Sequence, residues 1–307
     1  MAVIAEDLRN GGVHGVSEGI REAAGVMQWT IKIFDAGGTN IGRAKATADA
    51  MAARPDGLIL VGSDAYDMAP RLAPFQQRDI PIVGWHVAPR PGVLADTPVA
   101  MNVSSDPLEV ARLAAMAVIV SAKGKAGVVI LTDSNFGIAM VKAKAMTEII
   151  QACKECTLLE MRDIPISRAA KQMPAVTLEL LAKHGRQWTH TLAINDIYFD
   201  YAVPELTRSG QSNGSIQFLS AGDGSASAFT RIQARNFQTG SVAEPLNLQG
   251  WQLLDELNRL LARQPVTGHI TPPHLVTPDN INFDGGQHLQ YDPANGYRHI
   301  YRHIWQR

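Results

Sequence analysis

The chain has 307 residues, with Lys+Arg 28 against Asp+Glu 29, a formal net charge of −1, and 46% hydrophobic residues. That length suggests two domains, the charge balance removes any general attraction to nucleic acid or anionic membrane, and the apolar fraction excludes a disordered chain. No apolar run approaches the ~18 residues of a membrane-spanning helix, and a count of Cys 2 excludes a disulfide-built scaffold.

From the N-terminus, short apolar blocks alternate with longer stretches of helical period. Strands are expected at 2–5, 30–34, 57–61, 82–85, 100–103, 127–131, 157–161, 190–194, 216–221 and 240–243. Each is rich in Val, Ile and Leu and bounded by Gly, Pro, Asp or Asn, the look of strands buried on both faces. Helices are expected at 13–24, 41–53, 70–78, 108–121, 138–154, 171–183, 197–209, 226–235 and 248–263. Pro55-Asp-Gly57 and Asp79-Ile-Pro81 end helices and lead into strands, since proline and glycine do not continue a helix. Gly37-Gly-Thr-Asn40 lacks the phosphate-loop pattern and reads as a tight turn with Asn40 capping the helix after it. The basic, aromatic tail from Gly296 to Trp305 reads as a last strand packing its apolar side. Strand–helix alternation of this regularity implies βαβ units, and ten strands exceed one comfortable sheet. The expected fold is α/β, two doubly wound parallel-sheet lobes joined by three crossovers near 104–106, 244–245 and 274–278. One lobe covers 1–104 plus 245–274, the other 105–244 plus 275–307.

In such sheets ligands sit beyond the C-terminal ends of the strands. Those ends carry Glu6-Asp7-Leu8-Arg9-Asn10, Ser63-Asp64, Trp85-His86, Thr132-Asp133-Ser134-Asn135-Phe136, Asn195-Asp196, Gly222-Asp223-Gly224 and Glu244-Pro245. Carboxylates accept from adjacent hydroxyls, amides donate and accept, and aromatic faces cover the C–H side of a sugar ring. The mixture suits a polyhydroxylated ligand. Each residue also has a plainer role. Asp223 suits turn chemistry, Trp85 a core position, His86 a structural histidine, Arg9 a solvated tip and Glu244 a hinge. For Asn195-Asp196 the expected division is Asn195 on ligand and Asp196 capping the next helix.

Five stretches together resemble the type I periplasmic sugar-binding proteins of ABC transporters, in the ribose- and galactose-binding group. They are Pro55-Asp-Gly-Leu-Ile-Leu-Val-Gly-Ser63-Asp64, Asp79-Ile-Pro-Ile-Val-Gly-Trp-His86, Asn102-Val-Ser-Ser-Asp106, Leu192-Ala-Ile-Asn-Asp196 and Ser220-Ala-Gly-Asp-Gly224. The resemblance implies the periplasmic binding protein type I fold, and ligand contacts from Arg9, Asn10, Trp85, His86, Asp133, Asn135, Lys142, Asn195, Asp223 and Glu244. Trp85-His86 replaces the family's Asp-Arg pair. Lys142 stands near its Arg, with Met140 the alternative one turn away, and Ile166 and Ser167 lie where it places an aromatic and an Asp. Asn195, Asp223 and Glu244 match its Asn, Asp and Gln positions. The implied function is hinge-driven capture of a monosaccharide or polyol and its delivery to a permease, by a periplasmic, monomeric protein that needs no cofactor or metal and binds no nucleic acid. The alternative is the effector-binding core of a lactose-repressor-family regulator without its DNA-binding headpiece.

No catalytic constellation is legible, so no enzyme is expected. A nucleophile elbow of G-x-S-x-G type is absent, and the C-terminal histidines lack a metalloprotease setting. Cys153-Lys-Glu-Cys156 falls at the C-terminal end of a helical stretch, where the dipole does not favour a thiolate. A local disulfide and two inert thiols remain open there. The chain reaches Glu6 and Asp7 almost at once, without the basic and apolar regions of a secretory leader. A cytoplasmic protein and an exported one whose leader has been removed both fit, and a start inside the first strand favours the second.

Overall fold

Residues 1–306 are described by the structure, a computed structural model, which divides the chain into two compact units. The first unit comprises Met1–Asp106, Pro245–Pro272 and the chain from Asp292 onward; the second comprises Pro107–Glu244 and Pro273–Tyr291.

In the first unit the strands are β1 (Ala2–Ala5), β2 (Lys32–Asp35), β3 (Leu58–Val61), β4 (Ile82–Trp85), β5 (Gly92–Val93) and β6 (Met101–Val103). They form one sheet in the order β2-β1-β3-β4-β6-β5, parallel except for β5 against β6. The helices of this unit are α1 (Gly11–Met27), α2 (Asn40–Ala52), α3 (Ala65–Gln76), α9 (Leu246–Leu261) and α10 (Tyr297–Trp305). Successive strand side chains point to opposite faces. Val3, Ala5, Ile59, Val61, Val83 and Trp85 therefore pack with α1 and α9, while Ala2, Ile4, Leu58, Leu60 and Ile82 pack with α2 and α3. Both faces are covered, which is why these strands are continuous apolar blocks.

The second unit repeats the plan. Its strands are β7 (Gly127–Thr132), β8 (Thr157–Asp163), β9 (His190–Ala193), β10 (Gln217–Ser220), β11 (Gln238–Ala243) and β12 (His274–Val276), in the order β12-β11-β10-β9-β7-β8. Only β12 runs antiparallel to its neighbour. Its helices are α4 (Pro107–Ser121), α5 (Gly137–Ala152), α6 (Ala169–His184), α7 (Ile197–Arg208) and α8 (Ala226–Gln233). Cys153 and Cys156, just past α5, are joined in a disulfide.

All ten expected strands and nine expected helices have counterparts; β5, β12 and α10 were not foreseen. Two edge strands of two and three residues leave almost no pattern to read. The tail, expected as a strand on the second lobe, is a helix on the first unit. Trp305 stacks on Trp251 of α9 at 5.2 Å between ring centroids, and Tyr297 meets the same ring edge-on. Two helix starts also differ. Thr39, not Asn40, caps α2, its Oγ1 accepting from Gly42 N at 3.0 Å. Helix α3 begins at Ala65 rather than near Pro70 because Asp64 accepts from Tyr66 N and Asp67 N.

Candidate ligand-binding site

The strand tips of the first unit hold two buried carboxylates, each clamped by an arginine. Glu6, just past β1, accepts from Arg43 Nε at 2.8 Å and Nη2 at 2.5 Å, and from Ser63 Oγ at 2.5 Å. Asp7 is buried and binds Arg9 through Nε at 2.8 Å and Nη2 at 2.6 Å. The Arg9 side chain itself is 61% exposed. A guanidinium held in a fork by a buried carboxylate stays in one rotamer, so Arg9 is fixed at this edge before any ligand arrives. Asn10 behaves differently: its Oδ1 accepts from Gly12 N at 2.9 Å and caps α1.

Trp85 does not present a ring at the tip. It is 1% exposed, lies in the core shared with α1 and α9, and donates from Nε1 to Gln249 Oε1 at 2.7 Å. Strand alternation sends it there, because Val83 two residues earlier faces the same helices. His86 follows in the left-handed region, at φ +52°, and stacks on the Trp85 ring at 3.7 Å between centroids. Asn102 holds the segment after His86: its Oδ1 accepts from Val87 N at 3.0 Å, and its Nδ2 donates to the Ala88 and Arg90 carbonyls at 3.1 and 2.7 Å. Sequence reasoning missed Arg43 altogether and named Asn102 only within a family-like stretch, without this role. An asparagine inside the apolar run of β6 was the available signal for the second.

In the second unit, Asp133 builds its own loop. Oδ1 accepts from Asn135 N at 2.9 Å and Asn135 Nδ2 at 2.7 Å, and Oδ2 accepts from Ile166 N at 2.7 Å. Asn135 is exposed with its amide committed to Asp133. Lys142, on α5, and Glu244, just past β11, form an ion pair with side chains only 4% and 1% exposed and Nζ 3.9 Å from Oε1. Asn195 Nδ2 donates to Asp223 Oδ2 at 2.6 Å, and Glu244 N donates to the Asp223 carbonyl at 3.3 Å. The tips after β9, β10 and β11 thus form one polar cluster.

The roles expected of Asn195 and Asp196 are not divided as foreseen. Asn195 caps α7 through Oδ1 to Ile197 N at 3.0 Å while its amide holds Asp223; Asp196 makes no side-chain cap. Instead, Asp196 Oδ2 accepts from Gly224 N at 3.0 Å and Ser225 N at 3.1 Å, and Oδ1 accepts from Gln238 Nε2 at 2.8 Å. Burial pushes its carboxyl up to about 6, against the pull of Arg231 and these donors. It is the peg that holds the Asp223 loop.

A family model for a periplasmic binding protein domain matches residues 1–265. The chain belongs to that family. No curated relative is recognised by sequence comparison. A solved galactofuranose binding protein is similar, with TM-score 0.80, 16% identity, and 94% of this chain and 99% of that chain covered. So is a sugar ABC transporter protein from Yersinia enterocolitica subsp. enterocolitica 8081, with TM-score 0.83, 14% identity, and 99% and 93% covered. The Caulobacter myo-inositol binding protein, bound to myo-inositol, gives TM-score 0.77, 14% identity, and 92% and 94% covered. These likenesses establish the periplasmic binding protein type I fold. No helix among the described residues of this periplasmic binding protein is long and apolar enough to cross a membrane.

Proposed function

We propose that this periplasmic binding protein is the solute receptor of an ABC importer for a neutral monosaccharide or polyol. Among the ten residues expected to touch ligand, Arg9, His86, Lys142, Asn195, Asp223 and Glu244 are retained as the contact set. Trp85, Asp133 and Asn135 are reassigned to support, and Asn10 contributes only its Nδ2 edge. The observation that carries the reading is the cluster of Asn195, Asp223 and Glu244 at the C-terminal ends of three consecutive strands, with Lys142 reaching it from α5: polar side chains, buried and cross-braced. Fixed donors and acceptors of both kinds match the hydroxyls of a polyol, which themselves donate and accept. The matched family and solved structures described as binding galactofuranose and myo-inositol support a transport receptor over a transcription-regulator core. Closure of the two units on the ligand, release to a membrane permease, a monomeric state and an extracytoplasmic location belong to the same reading. It assigns the chain no catalytic step.

A thermal-shift screen over pentoses, hexoses, alditols and inositols tests it, because a ligand that binds only the native state raises its stability by mass action. Asp223→Ala should then weaken binding of the best hit at least about tenfold, about 1.4 kcal/mol, as a lost hydrogen bond to a charged group requires. Unchanged affinity in a folded Asp223→Ala protein refutes this contact set.

A further inference from the structure

Helix α10 carries a motif that the solute site does not use. His299 and His303 stand four residues apart on it, and both are exposed. No other two of the nine histidines in this chain have that spacing. Four residues span about 13 Å along a strand but about 6 Å along a helix, where positions i and i+4 are neighbours on one face. As a strand the tail would keep the two imidazoles apart; as a helix it brings them together. Two further features prepare this face. Tyr297, Tyr301 and Trp305 pack on Trp251 of α9, so the helix that spaces the histidines is held before any ligand arrives. The neighbouring arginines, whose charge would repel a cation, are turned toward the protein. Arg298 donates to Glu22 from Nε at 2.6 Å and from Nη2 at 3.1 Å, and to Asp292 from Nη1 at 2.7 Å. The Arg302 guanidinium lies over the Trp251 ring, 5.6 Å from its centroid.

We infer that His299 and His303 form a bidentate site for one divalent transition-metal ion, with solvent completing its coordination. Imidazole suits Cu2+, Ni2+ and Zn2+, with Cu2+ held most tightly, whereas Mg2+ and Ca2+ take oxygen ligands. An imidazole has two ring nitrogens, so His303 can ligate through one while the other, or the ring face, serves contacts within the chain. Ile300, Tyr301 and Arg302 lie between the two ligands, with no carboxylate among them to act as a base, so the site binds an ion without hydrolytic chemistry. An ion bridging one turn ties that turn in its helical form and thereby stabilises the packing of the tail on the first unit. The inference is independent of the sugar-binding reading, because neither histidine lies at a strand tip.

The test uses the full chain without an added histidine tag, stripped with chelator and titrated at neutral pH with Cu2+, Ni2+ and Mg2+. Calorimetry should show one tight ion per chain, Cu2+ bound more tightly than Ni2+ and Mg2+ not bound. His299→Gln and His303→Gln should each weaken Ni2+ binding at least about tenfold, since the second imidazole of a chelate acts at high effective concentration. Both positions are exposed, and circular dichroism verifies that the variants fold. Ni2+ should raise the melting temperature of the wild type and leave that of either variant unchanged. Electron paramagnetic resonance of the Cu2+ complex should report two nitrogen ligands in the wild type and one in either variant. A folded wild-type protein that binds neither Cu2+ nor Ni2+ overturns the site. So does Ni2+ affinity unchanged in either variant, which would place the ion at a lone exposed histidine such as His14, His269 or His288.

Discussion

Asp196 lies fully inside the second unit, and burial raises its carboxyl from the ordinary 3.8 to about 6. The folded state therefore holds this proton more tightly than the unfolded chain does. The stability this contributes is complete below about pH 4 and is lost as pH rises through about 6. A shift of this size corresponds to about 3 kcal/mol between the two limits. Replacing Asp196 by Asn removes the titration while keeping the shape. The variant will be less stable in absolute terms, because its single amide oxygen can serve Gly224 N and Ser225 N only by turning the amide nitrogen, itself a donor, toward Gln238 Nε2. The informative quantity is how the wild-type advantage changes with pH. Between about pH 7 and about pH 5 it should grow by about 1 kcal/mol on acidification. Urea denaturation followed by circular dichroism at a series of pH values measures both proteins. Parallel stability curves, or an advantage that shrinks toward acid, would refute the assignment of a raised, buried carboxyl at this position.

Two further outcomes follow from packing and from loop support. Gly250 of α9 lies against α1 so closely that an added Cβ would come within 2.5 Å of the Gly19 carbonyl carbon, which is backbone and cannot rotate away. Gly250→Ala should cost about 2 kcal/mol or more in thermal or urea unfolding, the upper range for overpacking, and near-neutral behaviour would mean the two helices separate freely. Asn102→Ala removes all three bonds holding the segment 87–90 and should cost about 2–3 kcal/mol. The same change should loosen His86 and lower ligand affinity, a loss that calorimetry can separate from stability by working well below the melting temperature.

The fold was legible because its signal is local and repeated. Each strand buried on both faces must be a short apolar block, as in Leu58–Val61, where all four residues are buried. Each helix between strands must show one apolar stripe. The tail held a signal that was read with the wrong period. Tyr297-Arg-His-Ile300 is repeated as Tyr301-Arg-His-Ile304 before Trp305, a four-residue recurrence that puts Tyr297, Tyr301 and Trp305 on one helical face. All three rings meet Trp251.

The sites were legible only as places. Sequence marked the strand ends and their polar residues, since a loop following a buried strand is where polar side chains must resume. It could not apportion their hydrogen bonds. Asn195 and Asp196 are adjacent, similar in size and equally good caps, and their roles are settled by Gly224 N, Ser225 N and Gln238, which lie 28 to 42 residues away. Trp85 and His86 are likewise neighbours at one tip, yet strand alternation turns the first toward Gln249 in α9 and leaves the second to make the turn.

By itself, then, the order of residues determined that this chain makes two parallel α/β sheets with polar tips, because periodicity and burial are properties of consecutive residues. Tertiary structure alone decided that Lys142 faces Glu244 across 102 residues of sequence, that Arg43 closes on Glu6, and that α10 returns to the first unit. Long-range pairing of that kind depends on which strands lie side by side, and no local pattern encodes it.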